Sequence, residues 1–168
     1  DPEMSRGLGD VYKRQGVYRF TPPESEEQDW TVEKLVDEAA SDAVLVDLDQ
    51  DGEKELILIS PFHGEHIYFY KKIDGDYKKV YTYDTADFAH AIYGGTLLGK
   101  PAVIIGHRKG ERNLLLFTWE QEKGEYQVEI LDRDCGPANV FKYERGTEEV
   151  LISTNREIDE VAMYTFEK

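Results

Sequence analysis

An acidic loop is the clearest chemical pattern in the sequence. Residues 47–55 read DLDQDGEKE, with carboxylates at alternate positions and Gly52 where the chain needs a sharp turn. Carboxylates spaced in this way converge on one point, and hard oxygen ligands suit Ca²⁺. The loop does not match an EF-hand, because its twelfth position is Leu58 rather than Glu and its flanks read as strands. The pattern therefore indicates a structural Ca²⁺ site, with a solvated, metal-free turn as the alternative.

Histidines supply a second pattern, because each lies at or beside the end of a predicted strand. Together with nearby cations and carboxylates, imidazoles can bind a divalent metal or exchange protons near neutral pH. The plainer alternatives are solvated loop residues, a strand cap and surface charge. The candidate catalytic residues are His63, His66, His90, His107, Arg108, Arg156 and Glu157.

These loops belong to an internal repeat. Segments that begin at Gly52, Gly99 and Gly146 each run into a β-branched apolar stretch, then a polar loop, then a second alternating stretch. The spacing is 47 residues in both intervals, 99−52 and 146−99. A period of about 40–50 residues with short strands is typical of β-propeller blades. The sequence therefore predicts an all-β fold, a partial β-propeller of about three four-stranded antiparallel blades.

The predicted strands follow this repeat. The first full blade spans 43–84, with strands at 43–47, 55–60, 66–71 and 77–83. The second spans 90–132, with strands at 91–97, 102–106, 113–120 and 126–131. The third spans 138–168, with strands at 140–143, 150–153 and 161–167. Residues 16–38 hold two strands of an earlier blade, 16–21 and 30–36, with a helix over 31–40 as the alternative to the second.

The second strand of each blade is apolar on both faces, as in residues 56–59, LILI. This pattern predicts a strand buried between neighbouring sheets. Propellers have about 4–8 blades, so three cannot close a ring. We therefore expect the missing blades to come from the upstream part of the same chain or from another chain.

The first fifteen residues do not share the repeat. They show neither strand alternation nor a helical stripe, and residues 5–15, SRGLGDVYKRQ, read as a translated sequencing adapter. An ordinary disordered N-terminus is the alternative. We therefore expect the natural chain to begin upstream of Gly16, residues 16–168 being the C-terminal part of the propeller.

Strand direction sorts the loops between two faces. Antiparallel strands place the loop after each first strand on one face, and the loop after each second strand on the other. The acidic loop is thus predicted on one face and all four histidines on the opposite one. A catalytic site there requires at least two histidines in mutual reach within a funnel.

Charge and cysteine content exclude some classes of partner. The 168 residues include 35 acidic and 20 basic side chains, for a net charge of −15. That charge argues against nucleic acid and against an anionic membrane surface, which both need a basic face. It suits cations or neutral, sugar-like ligands. The single Cys135 cannot form an internal disulfide, which favours the cytoplasm without establishing it.

The acidic loop resembles that of the FG-GAP and VCBS propeller repeats, whose blades hold a structural cation in a D-x-D-x-D-G loop. The other two blades lack these acids, since they read TLLG at 96–99 and YERG at 143–146. The resemblance implies Ca²⁺ ligands from the side chains of Asp47, Asp49, Asp51 and Glu55 and the backbone carbonyl of Glu53.

Five loop strings are similar to the β-propeller domain of the aldos-2-ulose dehydratases. They are SPFHG at 60–64, FAHA at 88–91, GHRKG at 106–110, GPAN at 136–139 and NREIDE at 155–160. The likeness implies a seven-bladed propeller that removes water from a ketosugar or anhydrofructose-type substrate. Fungal members carry cupin domains after the propeller, whereas this sequence stops within a blade, so only a dehydratase-like step is expected.

Such a lyase needs a base, an acid and an electrophile. His90 or His63 is the candidate base and metal ligand, with His66 and His107 beside them. A divalent metal at this cluster could polarise the carbonyl.

Charged neighbours would complete the site. Arg108 or Arg156 would hold the developing oxyanion, and Glu157 would orient a histidine or donate a proton. The alternative function is a non-catalytic, Ca²⁺-binding propeller for glycan or protein partners, and a purely structural repeat is the third hypothesis.

Overall fold

The computed structural model describes residues 15–25 and 27–167. In this part the chain is all-β, with strands in four antiparallel sheets and one 3₁₀ turn at Arg156–Ile158. The predicted all-β class is confirmed. The alternative helix over 31–40 is wrong, because Thr31–Val36 is a strand. The adapter-like segment 1–15 lies outside the described residues except for Gln15.

The described residues divide into two compact units, one ending at Ala40 and the other beginning at Ser41. The first unit contains β1 (Val17–Thr21) and β2 (Thr31–Val36), which pair as a two-stranded sheet. These are the two strands predicted for residues 16–38. No helix in the described part of the chain has the length and apolar character to cross a membrane.

The second unit consists of three meanders, in which each strand pairs with the next along the chain. Sheet 1 contains β3 (Asp42–Val46), β4 (Glu55–Ile59), β5 (Ile67–Ile73) and β6 (Asp76–Tyr83). Sheet 2 contains β7 (Ala89–Leu97), β8 (Lys100–His107), β9 (Leu114–Glu120) and β10 (Glu125–Asp132). Sheet 3 contains β11 (Pro137–Arg145), β12 (Glu148–Asn155) and β13 (Glu160–Glu167). Every predicted strand overlaps an observed one.

The two-residue alternation of β8 explains how these sheets pack. Val103 and Ile105 join a core shared with sheet 1, which includes the buried Phe69. Ala102 and Ile104 point to the opposite face and join the core shared with sheet 3. The prediction that this strand is apolar because both of its faces are buried is therefore confirmed.

The first strands of the three sheets lie side by side. Strand β7 contacts both β3 and β11. Gly94 on β7 permits the close approach, since a Cβ there would lie 2.8 Å from Cβ of Val44 and 2.7 Å from Cγ2 of Val46. The described sheets form no closed barrel or ring.

A buried ion pair ties sheet 3 to the turn that follows β7. Nζ of Lys142 lies 2.9 Å from Oε2 of Glu149, and the two side chains are 5% and 1% exposed. The amide of Leu98 donates to the same carboxylate at 2.9 Å. Burial by itself would lower the pKa of Lys142, but the hydrogen bond to Glu149 and the negative charges of Glu149 and Glu144 together raise that pKa.

Candidate functional site

Two of the predicted site residues, His63 and His90, are in direct contact. Their ring centroids lie 4.5 Å apart and their planes are inclined by 12°, which is a stacked arrangement. His63 is exposed on the loop between β4 and β5, whereas His90 is half-buried at the start of β7. Sheets 1 and 2 thus each contribute one imidazole to the same place.

The loop after β4 holds His63 in an unusual backbone conformation. The angle φ is +57° at Phe62 and +56° at His63, a region that bulky residues rarely adopt. Oγ of Ser41 accepts a hydrogen bond from the His63 amide at 3.0 Å. Phe62 is 92% exposed at the tip of this loop. Strained residues of this kind persist only where the surroundings hold them, and they cluster at functional sites.

His90 is oriented by the neighbouring sheet. The pairing of β7 with β8 shifts between Ala89 and Ala91, which makes His90 the extra residue of a β-bulge. Nδ1 of His90 lies 2.8 Å from the carbonyl oxygen of Ala138 on β11. Since a carbonyl only accepts hydrogen bonds, Nδ1 carries the proton. Nε2 of the neutral ring therefore presents a lone pair, the form that accepts a proton or a metal.

Phe88 lies beside the stacked histidines and contacts two cationic side chains. Its ring centroid is 4.9 Å from that of His63, and the Arg108 guanidinium and Lys109 ammonium each lie 5.0 Å from it, at cation–π distance. Its own φ is +58°. Phe88 was not selected as a candidate from the sequence, although it opens the FAHA string that contains His90.

Arg108 and Glu157 meet between sheets 2 and 3. Nε and Nη2 of Arg108 lie 2.8 and 2.6 Å from Oε1 of Glu157. This hydrogen bond lowers the pKa of Glu157 below its ordinary value. Gly136 leaves room for the contact, because a Cβ there would overlap the Glu157 side chain. The adjacent Arg156 is exposed. Arg108 is thus engaged by a carboxylate, whereas Arg156 faces solvent.

The other two predicted histidines have partners of their own. Nδ1 of His66 lies 3.3 Å from Oδ1 of Asp84, an ion-pair distance, but makes no hydrogen bond among the described residues. His107 is 1% exposed, and its Nδ1 lies 2.9 Å from the Lys109 carbonyl while its Nε2 accepts from the Asn113 amide at 3.1 Å. Burial lowers the pKa of His107, despite its hydrogen bond to Lys109. With both ring nitrogens occupied, His107 supports its loop instead of facing the stacked pair.

The acidic loop brings together one group of possible metal ligands among the described residues. Asp47, Asp49 and Glu55 each offer a carboxylate oxygen, and these oxygens lie within 4.8 Å of one another. That spacing fits Ca²⁺, whose oxygen ligands lie at about 2.3–2.6 Å. Asp51 and Glu53 are outside this group, and the Glu53 amide donates to Oδ1 of Asp51 at 2.9 Å. No such three-ligand group in the described part includes a histidine.

Several buried oxygens in and beside this loop lack a hydrogen-bond partner. Three of the four buried side-chain polar atoms that lack a hydrogen-bond partner in the described part are Oδ1 of Asp47, Oε1 of Glu55 and the hydroxyl of Tyr126. Burial raises the pKa of Glu55 to about 7, although its Oε2 accepts a hydrogen bond from the Leu48 amide at 2.8 Å. Because unpaired buried oxygens cost free energy, this donor set fits a bound cation.

Lys71 approaches the same carboxylates. Its Nζ contacts Asp49 and lies 2.8 Å from Oδ2 of Asp51 and 3.7 Å from Oε1 of Glu55. Burial by itself disfavours the ammonium, but the hydrogen bonds to both aspartates outweigh it and raise the pKa of Lys71. The sequence prediction missed Lys71. The alternation of β5 places Lys71 on the same face as Phe69, but its approach to the loop depends on how β5 pairs with β4.

No protein-family model, curated protein or solved structure matches this chain.

Proposed function

We propose that the chain is part of a β-propeller that acts as a carbon–oxygen lyase on a sugar-derived ketone. The stacked pair of His63 and His90, with Nδ1 of His90 held on the Ala138 carbonyl, is the observation that carries this proposal. Three consecutive meanders joined through their first strands, at a period of 47 residues (99−52, 146−99), support the propeller architecture. The remaining blades would lie upstream in the same protein, in a ring of seven if the resemblance to aldos-2-ulose dehydratases holds.

The two imidazoles suit the removal of water next to a carbonyl. Nε2 of His90 takes the proton on the carbon beside the carbonyl, and the released electron pair forms an enolate. As the carbonyl re-forms, the C–O bond at the next carbon breaks. The departing hydroxyl takes a proton from a protonated His63 and leaves as water. The products are water and an unsaturated ketone, and solvent then restores both imidazoles.

Cations near Phe88 would stabilise the enolate oxygen. Lys109 lies over the Phe88 ring and is exposed, which makes it available for this role, whereas Arg108 is already paired with Glu157. A divalent metal bound through His63 and His90 would polarise the carbonyl in place of these cations. The ligand class that fits is a small, neutral, sugar-derived ketone.

The test is an assay of water loss from anhydrofructose, followed by the ultraviolet absorbance of the unsaturated ketone. His90→Gln and His63→Gln should each lower kcat by about 10²- to 10⁴-fold, as expected for lost acid–base catalysis. Lys123→Gln is the matched control, because Lys123 is exposed on the turn before β10. Wild-type turnover by the His90→Gln variant would exclude the proposed base.

The acidic loop favours a second candidate, a non-catalytic propeller that binds Ca²⁺ and recognises glycans or proteins. Asp47, Asp49 and Glu55 would hold the ion, which would neutralise their charges and satisfy their unpaired oxygens. Ca²⁺-dependent retention on a glycan array, without water loss in the assay above, would favour this candidate over the lyase.

A further inference from the structure

We propose that Lys71 is a tethered counter-ion that a divalent cation must displace from the acidic loop. This inference depends on the cation site proposed above. It concerns what controls that site, and it makes Lys71 the residue that sets the affinity for the ion.

The contacts of Lys71 show that it competes for the ligand atoms themselves. Its ammonium bonds Oδ2 of Asp49 and reaches Oε1 of Glu55, and both residues belong to the three-carboxylate group. Glu55 is fully buried and this oxygen has no hydrogen-bond partner among the described residues. Nζ of Lys71 lies 3.7 Å from this oxygen, too far for a hydrogen bond, which leaves the oxygen able to coordinate a cation.

An ammonium and a divalent cation cannot share this place. Two positive charges about 4 Å apart repel strongly where water is partly excluded. Of the three carboxylates that would coordinate the ion, Asp49 already accepts a hydrogen bond from Nζ of Lys71. Binding of the ion therefore requires that the ammonium move away from Asp49.

A cavity of about 450 Å³ lies next to Lys71 and can receive its ammonium. Its walls include Trp119, Tyr81 and Tyr126 of sheets 1 and 2, together with Glu125. Nζ already lies 6.0 Å from the ring centroid of Trp119. Aromatic faces and a carboxylate accommodate a displaced ammonium, and its four-carbon stem permits the swing.

The decisive experiment is calorimetric titration of the 168-residue protein with CaCl₂, comparing wild type with Lys71→Met. Methionine keeps the length and apolar character of the stem but removes the charge. Lys72→Met is the matched control, because Lys72 is the next residue of β5 and is exposed. We expect Lys71→Met to bind Ca²⁺ about tenfold more tightly than wild type, or more, and Lys72→Met to resemble wild type.

A second readout does not depend on the folding of Lys71→Met. In a Trp30→Phe background, tryptophan fluorescence reports on Trp119 alone, since the chain has two tryptophans. Ca²⁺ should change this emission with the same midpoint as the calorimetric curve, because the ammonium shifts relative to the ring.

The outcomes separate the two proposals. Equal affinity of wild type and Lys71→Met, or Ca²⁺ saturation without any change at Trp119, would keep the cation site and overturn the role of Lys71. No binding by either protein would overturn the cation site, and the role of Lys71 with it. Binding by Lys71→Met alone supports both.

Discussion

The rings of His63 and His90 stack with their centroids 4.5 Å apart, although the two residues belong to sheets 1 and 2. Nδ1 of His90 also donates a hydrogen bond to the carbonyl of Ala138 in sheet 3. These two contacts join sheets 1, 2 and 3 at one place. Replacing His90 with Phe keeps a ring for stacking but leaves the Ala138 carbonyl without its donor. We expect His90→Phe to lose about 1 kcal/mol of unfolding free energy.

Urea denaturation measures that loss. His63→Phe is the comparison, because His63 is exposed and stacks without anchoring a carbonyl through its ring. It should lose less than His90→Phe does. The reverse order would show that the hydrogen bond to Ala138 contributes nothing.

His107 should make the fold sensitive to acid. Burial lowers its pKa below the ordinary value of 6.5, so the unfolded chain takes up a proton first as the pH falls. The stability that the neutral ring provides is complete above the unfolded pKa. It is lost as the pH falls through the lower, folded pKa, at about 1.4 kcal/mol for each unit of difference.

Thermal unfolding as a function of pH checks this prediction. The Tm of wild type should fall between about pH 7 and pH 5 more steeply than that of His107→Gln, whose side chain does not titrate. Gln also retains a donor and an acceptor for Lys109 and Asn113. Parallel slopes for the two proteins would assign the acid sensitivity to other groups.

The ion pair of Lys142 and Glu149 should be strongly coupled. Both side chains are almost fully buried, and Glu149 also accepts from the Leu98 amide. Removing one partner leaves a buried charge unpaired. The losses of unfolding free energy in the single variants Lys142→Met and Glu149→Gln should therefore add up to more than the loss in the double variant. We expect a coupling energy of about 1–3 kcal/mol.

A double-mutant cycle by urea unfolding measures this coupling. The exposed pair of Arg145 and Glu148 on the same two strands is the matched control and should show no measurable coupling. Similar couplings for the two pairs would mean that burial does not decide their strength.

The packing of β7 on β3 predicts unequal effects at two adjacent glycines. A methyl group at Gly94 would meet the stiff side chains of Val44 and Val46, whereas one at Gly95 would meet only the end of the Tyr93 side chain. Gly94→Ala should therefore lower the unfolding free energy by about 1–3 kcal/mol through overpacking, and Gly95→Ala by clearly less. Urea unfolding decides, and equal losses would place the two sheets further apart than described.

The strands were the most predictable part of this protein, because two-residue alternation is a property of the local chain. The run of apolar residues on β8 was enough to infer a strand buried on both faces. Strand direction also placed His63 and His90 on one side of the sheets. It did not distinguish them from His107, since all three were predicted on the same side and only the structure shows that both nitrogens of His107 have partners.

The acidic loop likewise makes contacts that its own sequence could not predict. Its carboxylates could be identified from their spacing, but the approach of Lys71 and Tyr126 could not. Lys71 lies on β5, so its position beside the loop follows from the pairing of β5 with β4 within sheet 1. Tyr126 lies on β10, so its position follows from how sheets 1 and 2 pack.

The sequence by itself determined the all-β class, the 47-residue period (99−52 and 146−99) and the strands that carry the candidate residues. The tertiary structure decided which side chains meet: His63 with His90, Arg108 with Glu157, and Lys71 with the acidic loop. The physical reason is the distance along the chain over which each interaction acts. Strand formation depends on neighbours along the chain, whereas these contacts join residues far apart in sequence. The packing of apolar faces between sheets sets the first two contacts, and the pairing of β4 with β5 within sheet 1 sets the third.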